Sequence, residues 1–162
     1  MTTPLPAIDT EQVAAFWARF LAAAQLPVGT PLPDAVEPFG DSTELADELL
    51  ELILYGPKRA TAASLDELRL SEASVPEMGT MSVATDGSGR ARAVMRTTEV
   101  RIGPLSSVDD AFAWDEGEGD RTRSTWLADH HHFFGRRLPT LGLTFHPDMP
   151  TVFERFEVLY QE

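Results

Sequence analysis

The sequence has no cysteine and a single lysine, and each scarcity narrows the chemistry open to it. Without thiols there is no disulfide framework, no sulfur nucleophile and no cysteine-ligated zinc site. No run of about 18 apolar residues occurs, so nothing reads as a membrane span. Residues 1–30 lack the basic start of a signal peptide, and a cytoplasmic protein of bacterial type is expected. Several catalytic signatures are missing too. There is no G-x-S-x-G elbow, no P-loop, no G-x-G-x-x-G after a strand and no H-E-x-x-H.

What is present suits one globular domain. The chain has 162 residues, 43% hydrophobic and 24% charged, enough to bury a core and too apolar for a disordered polyelectrolyte. Its net charge of −13 argues against duplex DNA and anionic lipid as partners. The charge is uneven. Residues 1–55 carry one basic against nine acidic groups, residues 56–105 seven against six, and residues 106–162 five against eleven. An anionic ligand is therefore best tolerated in the middle third. Twelve of the thirteen basic residues are arginine, and Lys58 is the exception. Codon usage explains scarce lysine but not the one that remains. A desolvated ammonium can lose its proton where a guanidinium cannot, so Lys58 is the first candidate for chemistry.

Hydrophobic spacing predicts a helix over residues 9–25, with Asp9 and Gln12 resembling a capping box. A proline-rich stretch to Pro38 follows, so residues 1–40 read as an N-terminal helix and linker and residues 41–162 as the main domain. A second helix is expected from Asp41 or Ser42 to Tyr55, with Leu45, Leu49, Leu52 and Ile53 inward and Gly56 as a left-handed cap. From Gly79 the period becomes two. Met81 and Val83 mark one strand, Asp86–Gly89 a hairpin turn, and Arg90 to Ile102 the return strand. A short helix over 108–114, an acidic loop over 115–120, a helix over 124–138 and a strand over 151–160 complete the chain. The pattern implies an α+β fold built on a small antiparallel barrel or curled sheet, flanked by helices.

Three groups could carry chemistry. His130, His131 and His132 cannot converge on one ion, because consecutive helical side chains point about 100° apart. His130, four residues after Trp126, is the one to choose. Glu116, Glu118 and Asp120 could hold a divalent cation, although acidic glycine-rich loops are more often solvated connectors or helix caps. Lys58 and Thr61 are the sharper pair. Three residues apart in a turn or helical start they would lie side by side, a lysine serving as base for a threonine hydroxyl, with Glu99 available as the balancing carboxylate.

Gly56-Pro57-Lys58-Arg59-Ala60-Thr61 matches the G-x-K-x-x-T signature of the ASCH domain family. Thr97-Thr98-Glu99-Val100, Glu116-Gly117-Glu118-Gly119-Asp120, Trp126, His130, Phe133-Phe134 and Val152-x-Glu154-x-Phe156 follow in order, as in its larger bacterial branch. The resemblance spans about residues 42–160. It implies a PUA-like β-barrel associated with RNA or modified nucleosides. Small members of the family are amidohydrolases that deacetylate N(4)-acetylcytidine with a Lys, a Thr and a Glu. Carried over by motif, those are Lys58, Thr61 and Glu99, with Thr61 attacking, Lys58 activating it and Glu99 balancing Lys58. Arg59, Arg96, Glu118, Trp126 and His130 are then the candidates to hold the substrate. Other members resemble ribonucleases acting on single-stranded RNA, for which Arg90, Arg92, Arg96 and Arg101 would meet the backbone and Trp126 would stack on a base. The hydrolase needs no cofactor, and the ribonuclease a divalent metal such as Mn or Mg. A non-catalytic RNA-binding or ligand-sensing module is the third possibility. The expected partner is a modified nucleoside or single-stranded RNA, with the oligomeric state open.

Overall fold

Asp9 begins the first helix, α1 (Thr10–Ala23), its carboxylate accepting the Gln12 N–H at 3.0 Å. Gln12 does not close the expected capping box. Its amide instead pairs with both backbone groups of Ala91, accepting at 2.7 Å and donating at 3.1 Å. The computed structural model describes residues 2–162. It shows a five-stranded half-barrel sheet with helices, the α+β class expected from the sequence.

The strands are β1 (Val36–Pro38), β2 (Ala60–Ser64), β3 (Met81–Thr85), β4 (Ala91–Pro104) and β5 (Pro150–Gln161), in the order β1-β3-β4-β5-β2. β1 runs parallel to β3, whereas β3 with β4 and β2 with β5 are antiparallel. The hairpin between β3 and β4 turns where predicted. Asp86 accepts the N–H groups of Ser88 and Arg90, and Gly89 sits at φ 81°.

The helices after α1 are α2 (Thr43–Leu54), α3 (Leu65–Leu70), α4 (Asp110–Glu116) and α5 (Arg123–Thr140). Four sequence expectations change. Helix α2 ends at Leu54 with Tyr55 as its cap, and Gly56 is not left-handed: its N–H still bonds the Leu52 carbonyl at 3.1 Å. Strand β2 and helix α3 occupy a stretch that carried no clear period. Thr61 therefore lies in a strand, not in a turn or helical start. Helix α4 runs two residues into the acidic loop, so Glu116 is its last residue and Gly117, at φ 71°, its left-handed cap.

The chain forms two compact units. Unit 1 takes residues up to Gly56, Gly79–Arg96 and Glu157–Glu162; unit 2 takes Pro57–Met78 and Thr97–Phe156. Unit 1 is centred on Phe16, Trp17, Phe20, Val83 and Val94, so α1 is part of its core. Unit 2 is centred on Leu105, Phe112, Trp126, Phe134, Leu138 and Phe153. Strands β4 and β5 run through both units. No helix among the described residues is long and apolar enough to cross a membrane.

Candidate functional site

The motif around Lys58 is held within unit 2 by its backbone. The Arg59 N–H bonds the Asp115 carbonyl at 2.8 Å, and the Arg59 carbonyl accepts the Phe156 N–H at 3.0 Å. Gly117 packs against the same segment so closely that a Cβ there would meet the backbone nitrogen of Lys58 at 2.7 Å. The end of α4 thus comes against the G-x-K-x-x-T segment only because residue 117 has no side chain.

This clamp buries Lys58, which is 1% exposed. Its Nζ donates to the Ala60 carbonyl at 2.9 Å and to Glu118 Oε1 at 2.6 Å, and lies 3.7 Å from Glu116 Oε1. Glu116, 2% exposed, turns the same Oε1 to His130 Nε2 at 3.1 Å. The other ring nitrogen, Nδ1, lies 2.8 Å from the Trp126 carbonyl. Both ring nitrogens thus face groups that act as acceptors when Glu116 is ionised, an arrangement that favours the protonated ring. Its pKa is accordingly raised. Burial pulls it down, but the Glu116 charge and hydrogen bond, then Glu118 and the Trp126 carbonyl, outweigh that.

Lys58 and Glu116 are thus nearly dry, at 1% and 2% exposed, while His130 and Glu118 reach the surface in part, at 12% and 28%. Taking each charge out of water costs several kcal/mol, and pairing with hydrogen bonds offsets that cost. Two polar atoms at the cluster have no protein partner. Glu116 Oε2 and Trp126 Nε1 are both buried without a hydrogen bond. Each unmade bond is costly, and each is a place where a water or a ligand group could bind.

Thr61 and Glu99 occupy different surroundings. Ala60 faces the core, so Thr61, next in the strand, points to the other face of β2. There it stands directly opposite Glu154 of β5, whose Oε1 accepts the Thr97 hydroxyl at 2.6 Å. Lys58 Nζ, bonded to the Ala60 carbonyl, lies against the peptide that joins Ala60 to Thr61. Glu99 is exposed and bonded to Arg155 Nη1 at 2.8 Å, with Arg155 also held by Asp115. The carboxylate on the Lys58 ammonium is thus Glu118, with Glu116 behind it, and the expectation that Glu99 fills that place is corrected.

The remaining candidates divide. Glu118 and His130 join the cluster. Arg59 is half-buried, its Nη1 donating to the Lys58 carbonyl at 2.6 Å. Arg96 lies in unit 1, paired with Glu157. Trp126 is 5% exposed, and His130 covers it in a near-parallel stack, 3.6 Å between ring centroids. It cannot stack on a base, because core side chains and an imidazole already fill its faces. Asp120 accepts the Thr122 N–H and hydroxyl and the Thr125 hydroxyl, which hold its carboxyl below the usual range. It fixes the start of α5 rather than binding a cation. Glu116 and Glu118 face an ammonium and an imidazole, a donor arrangement that does not fit a divalent ion, and no metal-holding group of three occurs among the described residues.

Sequence reasoning took Glu116 only as a candidate cation ligand and missed its place between Lys58 and His130. Read as loop, it had no fixed direction. A helix running through it to the glycine cap aims it inward, and its partner His130, fourteen residues on, was already a candidate.

The fold agrees with what the chain is similar to. The family model of the ASCH domain matches residues 35–160. The crystal structure of a protein from Enterococcus faecalis V583 is similar, with 36% identity, a TM-score of 0.82 and coverage of 93% of this chain and 89% of that one. That of an ASCH domain from Lactobacillus crispatus JV V101 has 26% identity, a TM-score of 0.79 and coverage of 93% and 96%. No curated protein matches. A G-x-K-x-x-T lysine buried on an acidic loop, with a family match over most of the length, identifies the chain as a member of the ASCH domain family.

Proposed function

We propose that the protein is a hydrolase that removes an acyl group from a modified nucleoside such as N(4)-acetylcytidine. The observation that carries this reading is the buried Lys58 ammonium, 2.6 Å from Glu118 and against the peptide leading into Thr61. In the proposed reaction Lys58 passes a proton to Glu118, the Thr61 hydroxyl turns toward the Ala60 carbonyl that the resulting amine touches, and the amine takes its proton as the oxygen adds to the acyl carbon. The Lys58 ammonium then protonates the departing exocyclic nitrogen as the C–N bond breaks. Water, giving its proton to the Lys58 amine, attacks the acyl-threonine. The amine passes that proton to the Thr61 oxygen as the acyl–oxygen bond breaks. Glu118 returns its own to Lys58, leaving the free acid and the starting site. Glu118 takes the balancing role first assigned to Glu99.

A nucleoside brings no phosphate for this acidic chain to repel. The single-stranded RNA reading has less support, since Arg90 and Arg96, offered to the backbone, already face Asp9 and Glu157. Turnover of N(4)-acetylcytidine by the wild-type protein and its Lys58→Met, Thr61→Ala and Thr61→Ser variants is the test. The expected result is hydrolysis by wild type, loss of at least a hundredfold in the first two, and partial activity in the serine variant. No hydrolysis by wild type, or full activity in Lys58→Met, overturns the reading.

A further inference from the structure

We infer that Trp114 and Arg121 form a stacking platform for a nucleobase, linked to Lys58 through the Gly117–Arg121 loop. The inference rests on the nucleoside reading above and supplies the base-recognition surface that Trp126, buried in the core, does not. Trp114 is 57% exposed, although it stands only two residues before the buried Glu116 on α4. The Arg121 guanidinium lies over its ring, 3.7 Å from the centroid, and Arg121 Nε donates to the Trp114 carbonyl at 2.8 Å. The flat cation and the indole thus form one layered surface, and nucleobases stack on both kinds of plane.

Two further observations separate this pair from an ordinary exposed tryptophan. No carboxylate lies within ion-pair distance of Arg121 among the described residues, and its guanidinium is held at the indole face and by the Trp114 carbonyl. Arg121 also holds a left-handed backbone at φ 62°, a conformation that disfavours any residue with a side chain and persists only where its surroundings impose it. Those surroundings are the loop itself. The Arg121 N–H bonds the Glu118 carbonyl at 3.0 Å, so one short turn carries Glu118 to Lys58 at one end and Arg121 to Trp114 at the other. An electron-rich, uncharged ring suits such a surface. A base seated there presses on the loop that holds the Lys58 carboxylate.

The test uses intrinsic fluorescence and steady-state kinetics of the full chain, with cytidine, N(4)-acetylcytidine and a short single-stranded oligocytidylate as probes. Trp17 and Trp126 are buried, so quenching reports mainly on Trp114. All three probes, or the oligonucleotide alone if the base comes from a flanking nucleotide, should quench the wild type saturably. Trp114→Leu should abolish the quenching and weaken binding roughly tenfold or more, raising KM with kcat little changed, and Trp114→Phe should recover part of the affinity. Arg121→Gln should weaken binding less. Unchanged binding in Trp114→Leu overturns the inference, as does a wild-type dimer that Trp114→Leu dissociates without affecting binding. If quenching follows the pattern above but the wild type hydrolyses nothing, the platform stands and the hydrolase reading falls.

Discussion

Arg96 with Glu157 in unit 1 and Lys58 with Glu116 in unit 2 are both ion pairs, yet they sit in opposite conditions. The first pair is 48% and 47% exposed, the second 1% and 2%. Unit 1 fills its interior with apolar surface, Phe16, Trp17, Phe20 and Leu21 from α1 meeting Tyr160, Val83 and Val94, and carries its charges outside. Unit 2 has an aromatic core of comparable kind but encloses a lysine and a glutamate beside it, with a histidine against them. Exposed pairs are worth about 0–1 kcal/mol, whereas buried ones rarely stabilise more than apolar residues of the same size would. A fold gains little by burying charge in this way. The proposed function supplies a reason for unit 2 to keep the cluster.

The largest effect that would sharpen this contrast comes from Lys58→Met. It leaves Glu116 buried with less compensation, and urea unfolding should show a loss of roughly 3–5 kcal/mol, together with the loss of turnover. Glu116→Gln should cost less, on the order of 1–3 kcal/mol, because the amide keeps its shape while leaving two cations without their shared anion. In that variant an NMR titration should find the His130 pKa lowered from its wild-type position. A wild-type His130 that titrates below 6.5 would break the proposed pairing.

The same histidine gives a pH dependence of known sign. Its pKa is raised on folding, so its contribution to stability is present in full below the unfolded value of 6.5 and is lost as pH rises through the folded value. Wild type should therefore lose stability across that window relative to His130→Gln, measured by denaturation at a series of pH values. Parallel curves would place His130 outside the charge cluster. The smallest effect belongs to unit 1, where Arg96→Ala should change stability by no more than about 1 kcal/mol and leave turnover untouched.

Much of this was legible in the sequence, for particular reasons. The first two helices and the β3–β4 hairpin announced themselves through caps, apolar spacing and a glycine turn, all of them local. Lys58 stood out as the one amine in an arginine-rich chain, and His130 as the histidine placed one helical turn from Trp126. Strand β2 did not, because Ala60-Thr61-Ala62-Ala63-Ser64 has too little apolar contrast to show a period of two, and its place is set by pairing with distant β5. The partner of Lys58 was likewise invisible. Glu99 and Glu118 are both carboxylates, and only the three-dimensional contacts settle that Arg155 takes the first and Lys58 the second. The two tryptophans were exchanged for a similar reason. Helical spacing places Trp126 beside His130 but does not say that their shared side faces inward, nor that Trp114 is left outside.

The most direct test of the central claim is the paired substitution Lys58→Met with Glu116→Gln, with unfolding free energy and acetylcytidine turnover measured on the same preparation. Removing both buried charges together should leave stability within about 1 kcal/mol of the wild type, or above it, while turnover is lost. A double variant destabilised by the sum of its single changes, or one that still turns over substrate, would contradict the claim that unit 2 buries these charges for function.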